Sequence, residues 1–441
     1  MRILLVSTYE LGRQPFGIAS AAAWLRSRGH DVTCADLSVS TLPEAAVREA
    51  GMAAFFLPMH TATRLAVRAI ARVKALNPRV RVCAFGLYAP LNEAYLRGLG
   101  VEVILGGEFE QALVEAAAQS SPAVVTAVST ARQEFLVPDR AGLPPLSRYA
   151  HLHVDGGVRL TAYTEASRGC KHLCRHCPVV PVYNGRFRIV APEVVLEDIR
   201  GQVAAGARHV TFGDPDFFNG PAHAIRIVRA LHEEHPDVSY DVTIKIEHLL
   251  QHREHLPELR RTGCLFVTTA VESLEDEVLA RLDKGHTRAD FIETVRLCRD
   301  ADLTPAPTFI PFTPWTTRSG YQDLLRTLAD LELTEHVSPV QLGLRLLITA
   351  GSRLLELPEI RAVIRDFDPA ELIYPWRHAD PGTDELGCAV MKLVQREQKC
   401  GASRREIFVK IAALAGAGLR PDNFDLMPRA TIPYLDEPWY C

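Results

Sequence analysis

The sequence lacks both a strong excess of charge and a long hydrophobic run. Its 49 basic and 53 acidic residues nearly balance over 441 residues, so no overall electrostatic field attracts the chain to nucleic acid or anionic lipid. No apolar segment reaches the roughly 18 residues needed to cross a bilayer. We therefore expect a cytoplasmic protein that binds a small molecule, with neither nucleic acid nor a membrane as a partner.

The sequence also lacks a second group of closely spaced cysteines. Three of its ten cysteines lie in CKHLCRHC, at Cys170, Cys174 and Cys177. In the reducing compartment expected here, clustered thiols bind metal more often than they form disulfides. Most of the remaining cysteines are interpreted as small buried hydrophobic residues; they are Cys34, Cys83, Cys264, Cys298, Cys388, Cys400 and Cys441.

The three clustered cysteines favour an iron–sulfur cluster over zinc. A zinc site usually has four protein ligands, commonly in two pairs, and no second CxxC pair is present. Three thiolates from a single loop would instead leave one iron of a cubane 4Fe–4S cluster without a protein ligand. A substrate or a cofactor can then bind that iron directly.

Residues 1–120 alternate strand-like and helix-like segments, which predicts an α/β domain with a doubly wound parallel sheet. The strand candidates are RILLVS, HDVTCAD, MAAFFLPM, VRVCAFG and VEVILGG. Prolines accumulate between residues 121 and 159 and predict a connector to a second domain. A chain of 441 residues that is 47% hydrophobic is long enough for two or three domains.

Residues 160–354 alternate strand and helix patterns again. Their six strand candidates predict a partial parallel (β/α)6 TIM-type barrel, with its active site at the carboxyl ends of the strands. These candidates are TAYTEAS, ARHVTFGD, SYDVTIK, CLFVTTAVES, TPAPTFIPF and PVQLGLRLLI. Residues 355–441 are predicted to be mostly helical and to end in TIPYLDEPWYC.

The spacing C-x3-C-x2-C after a strand resembles the radical S-adenosylmethionine (radical SAM) superfamily. The resemblance implies that Cys170, Cys174 and Cys177 bind a 4Fe–4S cluster, whose open iron is chelated by S-adenosylmethionine (SAM). An electron from the cluster then cleaves the sulfonium, which implies a low-potential donor of the flavodoxin or ferredoxin type. His176 stands where the family usually has an aromatic residue and is expected to pack over the cluster.

The segment GDPDFF follows the second strand, where the family meets the amino group of SAM. The resemblance therefore implies cofactor contacts for Gly213, Asp214 and Asp216. A strand-to-helix turn with an aspartate cap explains the same residues about equally well.

Lys245, Glu272 and Ile310 complete the implied SAM contacts. Lys245 lies on the third strand and Glu272 ends the fourth, where the family often places contacts to the methionine carboxylate and the ribose. Ile310 follows the fifth strand, near where adenine packs in the family. A buried acid is costly unless it is hydrogen-bonded, and a structural salt bridge is the alternative for both charged residues.

The first 120 residues also resemble the cobalamin (B12)-binding domain fused to many radical SAM enzymes. The likeness rests on GIASAAAWLRSRGHDVTCAD after the first strand and on GGEFEQALVE, residues 106–115. The motif Asp-x-His-x-x-Gly, which supplies an imidazole ligand to cobalt, is missing. Two interpretations fit this departure, namely cobalamin binding without a histidine ligand and a degenerate domain that serves as a lid or docking surface.

The terminal EPWYC, together with CRHCPVVPVYNGRFR, resembles a radical SAM subgroup whose chains end in Cys-Cys-Ala-Glu-Pro or Cys-selenocysteine-Ala-Glu-Pro. The sequence stops at Cys441, the first residue of that motif, which predicts a selenocysteine codon beyond it. Cys441 is expected to be catalytic, because a thiol beside a selenol binds soft elements or reduces an intermediate.

Together these features predict a radical SAM enzyme of the transferase type. The domain pairing favours cobalamin-dependent methyl transfer to a small molecule. The tail instead favours transfer of a SAM-derived fragment to arsenic, selenium or a related element. The alternative of another class is a non-catalytic iron–sulfur electron carrier or sensor, with a fourth ligand such as Cys264.

Overall fold

Two β-sheets, one after the other along the chain, organise the protein. The computed structural model describes residues 1–119, 124–419 and 432–437. The first sheet has six strands and the second has seven within those ranges. Among the helices described there, none is long and apolar enough to span a bilayer.

The first sheet is parallel throughout and carries helices on both faces. Its elements are β1 (Arg2–Ser7), α1 (Phe16–Ser27), β2 (Asp31–Asp36), α2 (Glu44–Glu49), β3 (Met52–Phe56), α3 (His60–Leu76), β4 (Arg81–Phe85), α4 (Tyr88–Leu91), α5 (Glu93–Gly98), β5 (Val103–Gly107), α6 (Glu110–Ala118) and β6 (Val125–Ser129). The strand order is β2-β1-β3-β4-β5-β6. Along β1, Ile3 and Leu5 pack on one layer of helices, and Leu4 and Val6 pack on the other. The predicted doubly wound sheet is therefore confirmed.

Strand β6 extends the first sheet past residue 120, into the stretch predicted as a connector. It pairs with β5 in parallel, from Val103 opposite Val125 to Gly107 opposite Ser129. Gly107 has a φ of +67°, and a Cβ atom there would lie 2.0 Å from the carbonyl oxygen of Ser129. Glycine at this position therefore lets the two strands pair to the end of β5.

The second sheet is a curled half-barrel. Its region contains β7 (His151–Val154), β8 (Gly157–Thr164), β9 (Ser167–Gly169), α7 (Val180–Tyr183), β10 (Phe187–Ile189), α8 (Pro192–Ala204), β11 (His209–Phe212), α9 (Pro221–Glu234), β12 (Ser239–Thr243), α10 (Ile246–Gln251), α11 (Leu256–Arg261), β13 (Cys264–Glu272), α12 (Asp276–Leu282), α13 (Arg288–Asp300), β14 (Thr304–Phe309) and α14 (Arg318–Asp330). Strands β8, β11, β12, β13 and β14 are parallel neighbours. The short strands β9 and β10 pair with each other outside this sheet.

The segment 339–348, predicted as a sixth strand of the barrel, forms no strand. Pro339–Leu342 is a 3-10 helix, and the pairing described there is a single bridge between Phe312 and Arg345. The half-barrel is instead completed on its other side, where β7 pairs antiparallel with β8.

The last part of the chain is helical, as predicted, and returns to the half-barrel at its end. Its elements are α15 (Pro358–Val363), α16 (Pro381–Lys399), α17 (Arg404–Ala415) and β15 (Tyr434–Leu435). Helices α16 and α17 pack their apolar faces into the core beside α14. Strand β15 pairs antiparallel with β7. Cys441 lies outside the described residues.

Candidate active site

The cysteine loop begins directly after the short strand β9. Gly169, the last residue of β9, has a φ of +77°, and a Cβ atom there would lie 2.5 Å from the ring of Tyr183. A glycine is therefore needed for the chain to turn into Cys170. Further along the loop, the Cys177 amide donates to the Cys174 carbonyl oxygen at 3.2 Å. The loop is thus a compact turn that brings its cysteines together.

The three thiols are close enough to affect one another. Burial raises the pKa of Cys170 to about 11 and that of Cys177 to about 12, and the neighbouring thiols raise both further. Three such thiols become stable thiolates when a metal compensates their charge. Cys264 lies elsewhere, buried at the start of β13 near Cys298, so it does not join them. Among the described cysteines, the loop therefore offers three ligands, which fits a 4Fe–4S cluster with one open iron.

Glu272 lies beside the cysteine loop with two positively polarised partners. Its Oε1 atom is 3.2 Å from His176 Nε2 and 3.3 Å from Lys284 Nζ. Burial alone would raise the pKa of Glu272, but Lys284 and His176 outweigh it and hold the pKa at about 2. The Glu272 carbonyl also accepts a hydrogen bond from the Ile310 amide at 3.0 Å. The structure thus brings three predicted site residues, His176, Glu272 and Ile310, into one neighbourhood.

Lys284 is a member of this group that sequence reasoning did not single out. It belongs to LDKGHT, which follows α12, and is only 3% exposed. A lysine is rarely buried without a charged partner. The sequence signal that could have found Lys284 is the glycine that follows it. Gly285 predicts a turn just after α12.

Gly213 and Asp214 are engaged with the chain itself. Asp214 accepts hydrogen bonds from the Ala166 amide at 2.9 Å and from the Ser167 hydroxyl at 2.5 Å. Burial raises the pKa of Asp214 to about 6. A Cβ atom at Gly213 would lie 2.0 Å from the hydroxyl of Tyr163. Asp214 therefore anchors the start of β9, and through it the cysteine loop, whereas Gly213 leaves room for Tyr163 of β8.

Asp216 and Lys245 lie on the other side of the cysteine loop, around His172. Asp216 caps the following turn by accepting from the Phe218 amide at 3.2 Å, which agrees with the aspartate-cap interpretation. Lys245 Nζ lies 3.1 Å from His172 Nδ1 and 3.1 Å from Glu247 Oε2. Both predicted residues thus contact polar groups near the loop.

A polar cavity of about 250 Å³ occupies the inside of the half-barrel. The inward-facing side chains of β11 to β14 line it with hydroxyl groups and one carboxylate. These residues are Thr211, Asp241, Thr243, Thr268 and Thr308. Arg13 of the first sheet's region and Glu437 of the C-terminal segment form an ion pair at its edge. The cavity wall therefore combines all three parts of the chain.

A second cavity, of about 200 Å³, lies between the two sheets. It is lined by the loops after β1, β3, β4 and β5, which include Gly17, Gly86 and Gly107, and by Tyr183 of α7. Leu87 packs against the residues around Cys170 and Cys177, so the cavity borders the cysteine loop. It is the carboxyl-end rim at which doubly wound sheets bind ligands.

A buried charge cluster closes this second cavity. Arg168 Nη1 lies 2.6 Å from Glu110 Oε1, and Arg168 Nε lies 2.9 Å from Glu165 Oε2. Glu108 accepts a hydrogen bond from the Tyr183 hydroxyl at 3.1 Å. Burial raises the pKa of Glu108 and of Glu165 to about 7 in each case. Arg168 is thus the cation that joins the two sheets across their interface.

The lining of the second cavity is suited to the flat face of a corrinoid, but the cavity is too small to hold a whole corrinoid. Glycines and apolar residues leave an open slot beside the cysteine loop. Its volume of about 200 Å³ is below the range of about 300–1,000 Å³ that ligand pockets usually have. As the two sheets stand, the slot accommodates only part of a corrinoid.

Comparison with known proteins agrees with these features. Residues 164–328 match the family model of the radical SAM superfamily. A tRNA-2-methylthio-N(6)-dimethylallyladenosine synthase of Desulfosudis oleivorans is 28% identical over 196 residues, or 41% of this chain and 39% of that protein. The hopanoid C-3 methylase of Methylococcus capsulatus is 24% identical over 170 residues, or 38% of this chain and 32% of that protein. The chain thus spans about a third of the length of the curated relatives it matches.

Two solved structures share the fold over most of the chain. The cobalamin-dependent radical enzyme OxsB, with aqua-cobalamin and SAM bound, superposes with a TM-score of 0.69 over 90% of this chain and 66% of its own, at 14% identity. The methyltransferase TsrM of Kitasatospora setae, with tryptophan and a SAM analogue bound, has a TM-score of 0.66 over 89% of each chain, at 16% identity. The two-sheet arrangement and the half-barrel are therefore the fold of these two solved proteins. Residues 164–328, which contain the cysteine loop and the parallel strands, are the part of the chain that is similar to the radical SAM superfamily.

Proposed function

We propose that the protein cleaves SAM reductively and uses the product to modify a small molecule held in the half-barrel. The observation that carries this proposal is the set of Cys170, Cys174 and Cys177 in one loop, where Glu272 of the half-barrel contacts His176 and no other described cysteine joins them. A cluster held there would supply the electron that breaks a carbon–sulfur bond of SAM. The chain supplies the ligands, the orientation and the enclosure.

The residues around the loop have separate positioning roles in this proposal. Glu272, held ionised by Lys284 and His176, offers a fixed carboxylate to the hydroxyl groups of a ribose. Lys245 offers its ammonium group to the methionine carboxylate. Ile310 is tied to Glu272 by a backbone hydrogen bond and offers an apolar surface to adenine. These contacts would fix the sulfonium relative to the cysteine loop.

The polar cavity favours a small polar substrate over a macromolecule. Its volume of about 250 Å³ lies just below the usual range for small-molecule sites, about 300–1,000 Å³. The threonine hydroxyls provide hydrogen-bond donors and acceptors on several strands. Arg13 and Glu437 close its edge, which would keep water away from a reactive intermediate.

Methyl transfer assisted by a corrinoid is the finer function that the second cavity favours. The cavity lies at the carboxyl ends of β1, β3, β4 and β5 and borders the cysteine loop. To admit a whole corrinoid, the two sheets would have to separate around Arg168. Transfer of a SAM-derived fragment to arsenic or selenium rests instead on Cys441, which lies outside the described residues.

The products of SAM distinguish these reactions. The protein is purified anaerobically from cells supplied with cobalamin, and its visible spectrum is recorded. It is then incubated with dithionite and SAM, and the products are separated by mass spectrometry. 5'-Deoxyadenosine with S-adenosylhomocysteine and a corrinoid spectrum would support methyl transfer, whereas methylthioadenosine would support transfer of an aminocarboxypropyl group. Absence of any SAM cleavage in cluster-replete protein would overturn the proposal and favour an electron carrier.

A further inference from the structure

Three side chains from separate segments meet behind the cysteine loop. His172 belongs to the loop itself, Asp216 follows β11, and His248 lies on α10. His172 Nε2 is 3.2 Å from His248 Nε2 and 3.5 Å from Asp216 Oδ2. His248 Nδ1 is 2.6 Å from the same Asp216 oxygen. One possible ligand atom from each of the three side chains therefore lies within 4.8 Å of the other two. The two rings meet through His248 Nε2, and His248 faces Asp216 through Nδ1.

Two of these atoms are buried without a hydrogen-bond partner. The side chain of Asp216 is 2% exposed and that of His248 is 0% exposed. Asp216 Oδ2 and His248 Nδ1 contact each other at 2.6 Å as an ion pair, but neither atom makes a hydrogen bond of good geometry to a described group. A buried polar atom left in this state costs about 1–3 kcal/mol. The arrangement becomes favourable when a shared ligand satisfies both atoms.

The donor set and its spacing match a transition-metal ion. Two imidazole nitrogens and one carboxylate oxygen form a common set for Zn²⁺ and for non-haem Fe²⁺. Bonds of about 2.0–2.1 Å in a tetrahedron place the ligand atoms about 3.3 Å apart. The distance of 3.5 Å between His172 Nε2 and Asp216 Oδ2 is close to this value. A small rotation of the His248 ring would bring its 2.6 Å contact to the same spacing.

The groups around the three residues are compatible with a cation. Lys245, which contacts His172, is itself paired with Glu247 at 3.1 Å, so its charge is compensated. Glu247 Oε2 also lies 3.5 Å from His172 Nδ1. A metal-bound histidine commonly donates from its second ring nitrogen to a carboxylate. With a metal on His172 Nε2, Nδ1 would donate to Glu247, and Lys245 would move away from its present 3.1 Å contact with Nδ1. The ionised Asp216 then balances part of the charge of the bound metal.

We propose that His172, Asp216 and His248 form a second metal site, for a divalent ion of the zinc type, separate from the three cysteines. The metal would link the cysteine loop to the turn after β11 and to α10. The fourth position would be open to water or to a ligand. The site is independent of the reaction proposed above, because it requires neither SAM cleavage nor any particular substrate.

The test uses the cluster-containing protein and zinc as the probe. Protein treated with a chelator is equilibrated with one equivalent of Zn²⁺, and bound zinc is measured by elemental analysis. Zinc-edge X-ray absorption then reports the ligands without interference from iron. We expect about one zinc per chain, with nitrogen or oxygen neighbours at about 2.0–2.1 Å and no sulfur neighbour at about 2.3 Å.

The variant His248→Leu is expected to weaken zinc binding at least tenfold while retaining the iron of the cluster. His248 is preferable to Asp216, because Asp216 also caps the turn at Phe218. The matched control is His255→Gln, seven residues along the chain and outside the three-residue group. The proposal would be overturned if the parent protein retains no zinc, if the bound zinc has sulfur neighbours, or if His248→Leu binds zinc equally well. The two rings would then form a metal-free contact. If His248→Leu loses the iron of the cluster, zinc binding is measured in His172→Gln instead. Zinc binding equal to that of the parent protein would then overturn the proposal.

Discussion

Glu272 at the end of β13 lies 3.2 Å from His176, the residue directly before the third cysteine of the loop. Glu272 also has a φ of +69°, a conformation that costs a residue with a side chain about 1–3 kcal/mol. The backbone strain and the buried ion pair with Lys284 occur at the same residue. Strain of this kind persists where the surrounding structure holds a side chain in a required position.

Replacing this carboxylate should destabilise the protein in a pH-dependent way. Glu272→Gln leaves Lys284 buried without a charged partner, and we expect a loss of about 3 kcal/mol in the free energy of unfolding at pH 7. The pKa of Glu272 is about 2, below its ordinary value of 4.5. Its stabilising effect is therefore complete above about pH 4.5 and is lost as the pH falls toward 2.

Urea unfolding of cluster-free protein, followed by tryptophan fluorescence, measures both effects. The difference between the parent protein and Glu272→Gln should shrink between pH 4.5 and 2. The control is Glu277→Gln, whose side chain is 86% exposed and should change stability by less than about 1 kcal/mol. A constant difference across this pH range would contradict the interpretation of Glu272 as an ionised buried partner.

His286 should contribute in a separate pH window. Burial, with smaller contributions from Lys284 and Lys245, lowers its pKa from 6.5 to about 4. The neutral ring therefore stabilises the folded state above about pH 6.5, and this effect is lost as the pH falls toward 4. The full effect is roughly 3 kcal/mol.

His286→Gln keeps a side-chain donor for the Val271 carbonyl, which His286 Nε2 reaches at 3.3 Å, and removes the titration. In the same urea experiment, the free energy of unfolding of the parent protein should fall between pH 6.5 and 4. The fall should be smaller in His286→Gln by most of the roughly 3 kcal/mol expected for His286. If the two proteins lose stability in parallel over that interval, His286 is not the responsible group.

The loss of one loop cysteine should remove the cluster without unfolding the chain. Cys174→Ala leaves two thiolates, and we expect iron content, visible absorbance and SAM cleavage to fall at least tenfold. Cys388 on α16 is exposed, and Cys388→Ala serves as the matched control with unchanged iron. Normal iron binding by Cys174→Ala would refute the assignment of this loop as the cluster site.

Arg168 should control how tightly the two sheets associate. Arg168→Met leaves Glu108, Glu110 and Glu165 buried without their shared cation, at a cost of about 3–5 kcal/mol. Hydrogen exchange should increase at residues 108–110 and 167–169, where the contacts are lost. Arg200→Met is the control, because the ion pair of Arg200 with Glu234 is exposed to solvent, and exposed ion pairs contribute little to stability. Unchanged exchange at the interface would show that Arg168 does not hold the sheets together.

The sequence predicted the elements whose patterns are local. The strands around VEVILGG and CLFVTTAVES are long and apolar, and glycine turns or helices bound them. The edge strand β6 was missed because it is short and alternates between half-buried and exposed residues, which resembles a loop. The segment 339–348 is as apolar as the correctly predicted strands. Its residues reach the core from a 3-10 helix rather than from a strand, and the apolar pattern alone does not distinguish the two.

The candidate site shows the same division. Cys170, Cys174 and Cys177 are recognisable because their spacing is fixed within one loop. The contacts of Arg168 with Ser20 and of His172 with His248 join residues 148 and 76 positions apart, and no local pattern predicts such pairs. The cluster role of the three cysteines stays a prediction, as do the electron donor and the compartment. The predicted SAM contacts also stay predictions, namely those of His176, Gly213, Asp214, Asp216, Lys245, Glu272 and Ile310.

The contact between Arg13 and Glu437 has a consequence for the order in which the protein is made. About 260 residues separate Cys177 from Glu437, and a ribosome adding about 5–20 residues per second needs roughly 13–50 s to cover them. Until then the wall of the half-barrel that Glu437 completes is missing. The three cysteines therefore emerge, and become accessible to the cell's cluster-assembly proteins, well before the half-barrel cavity is complete.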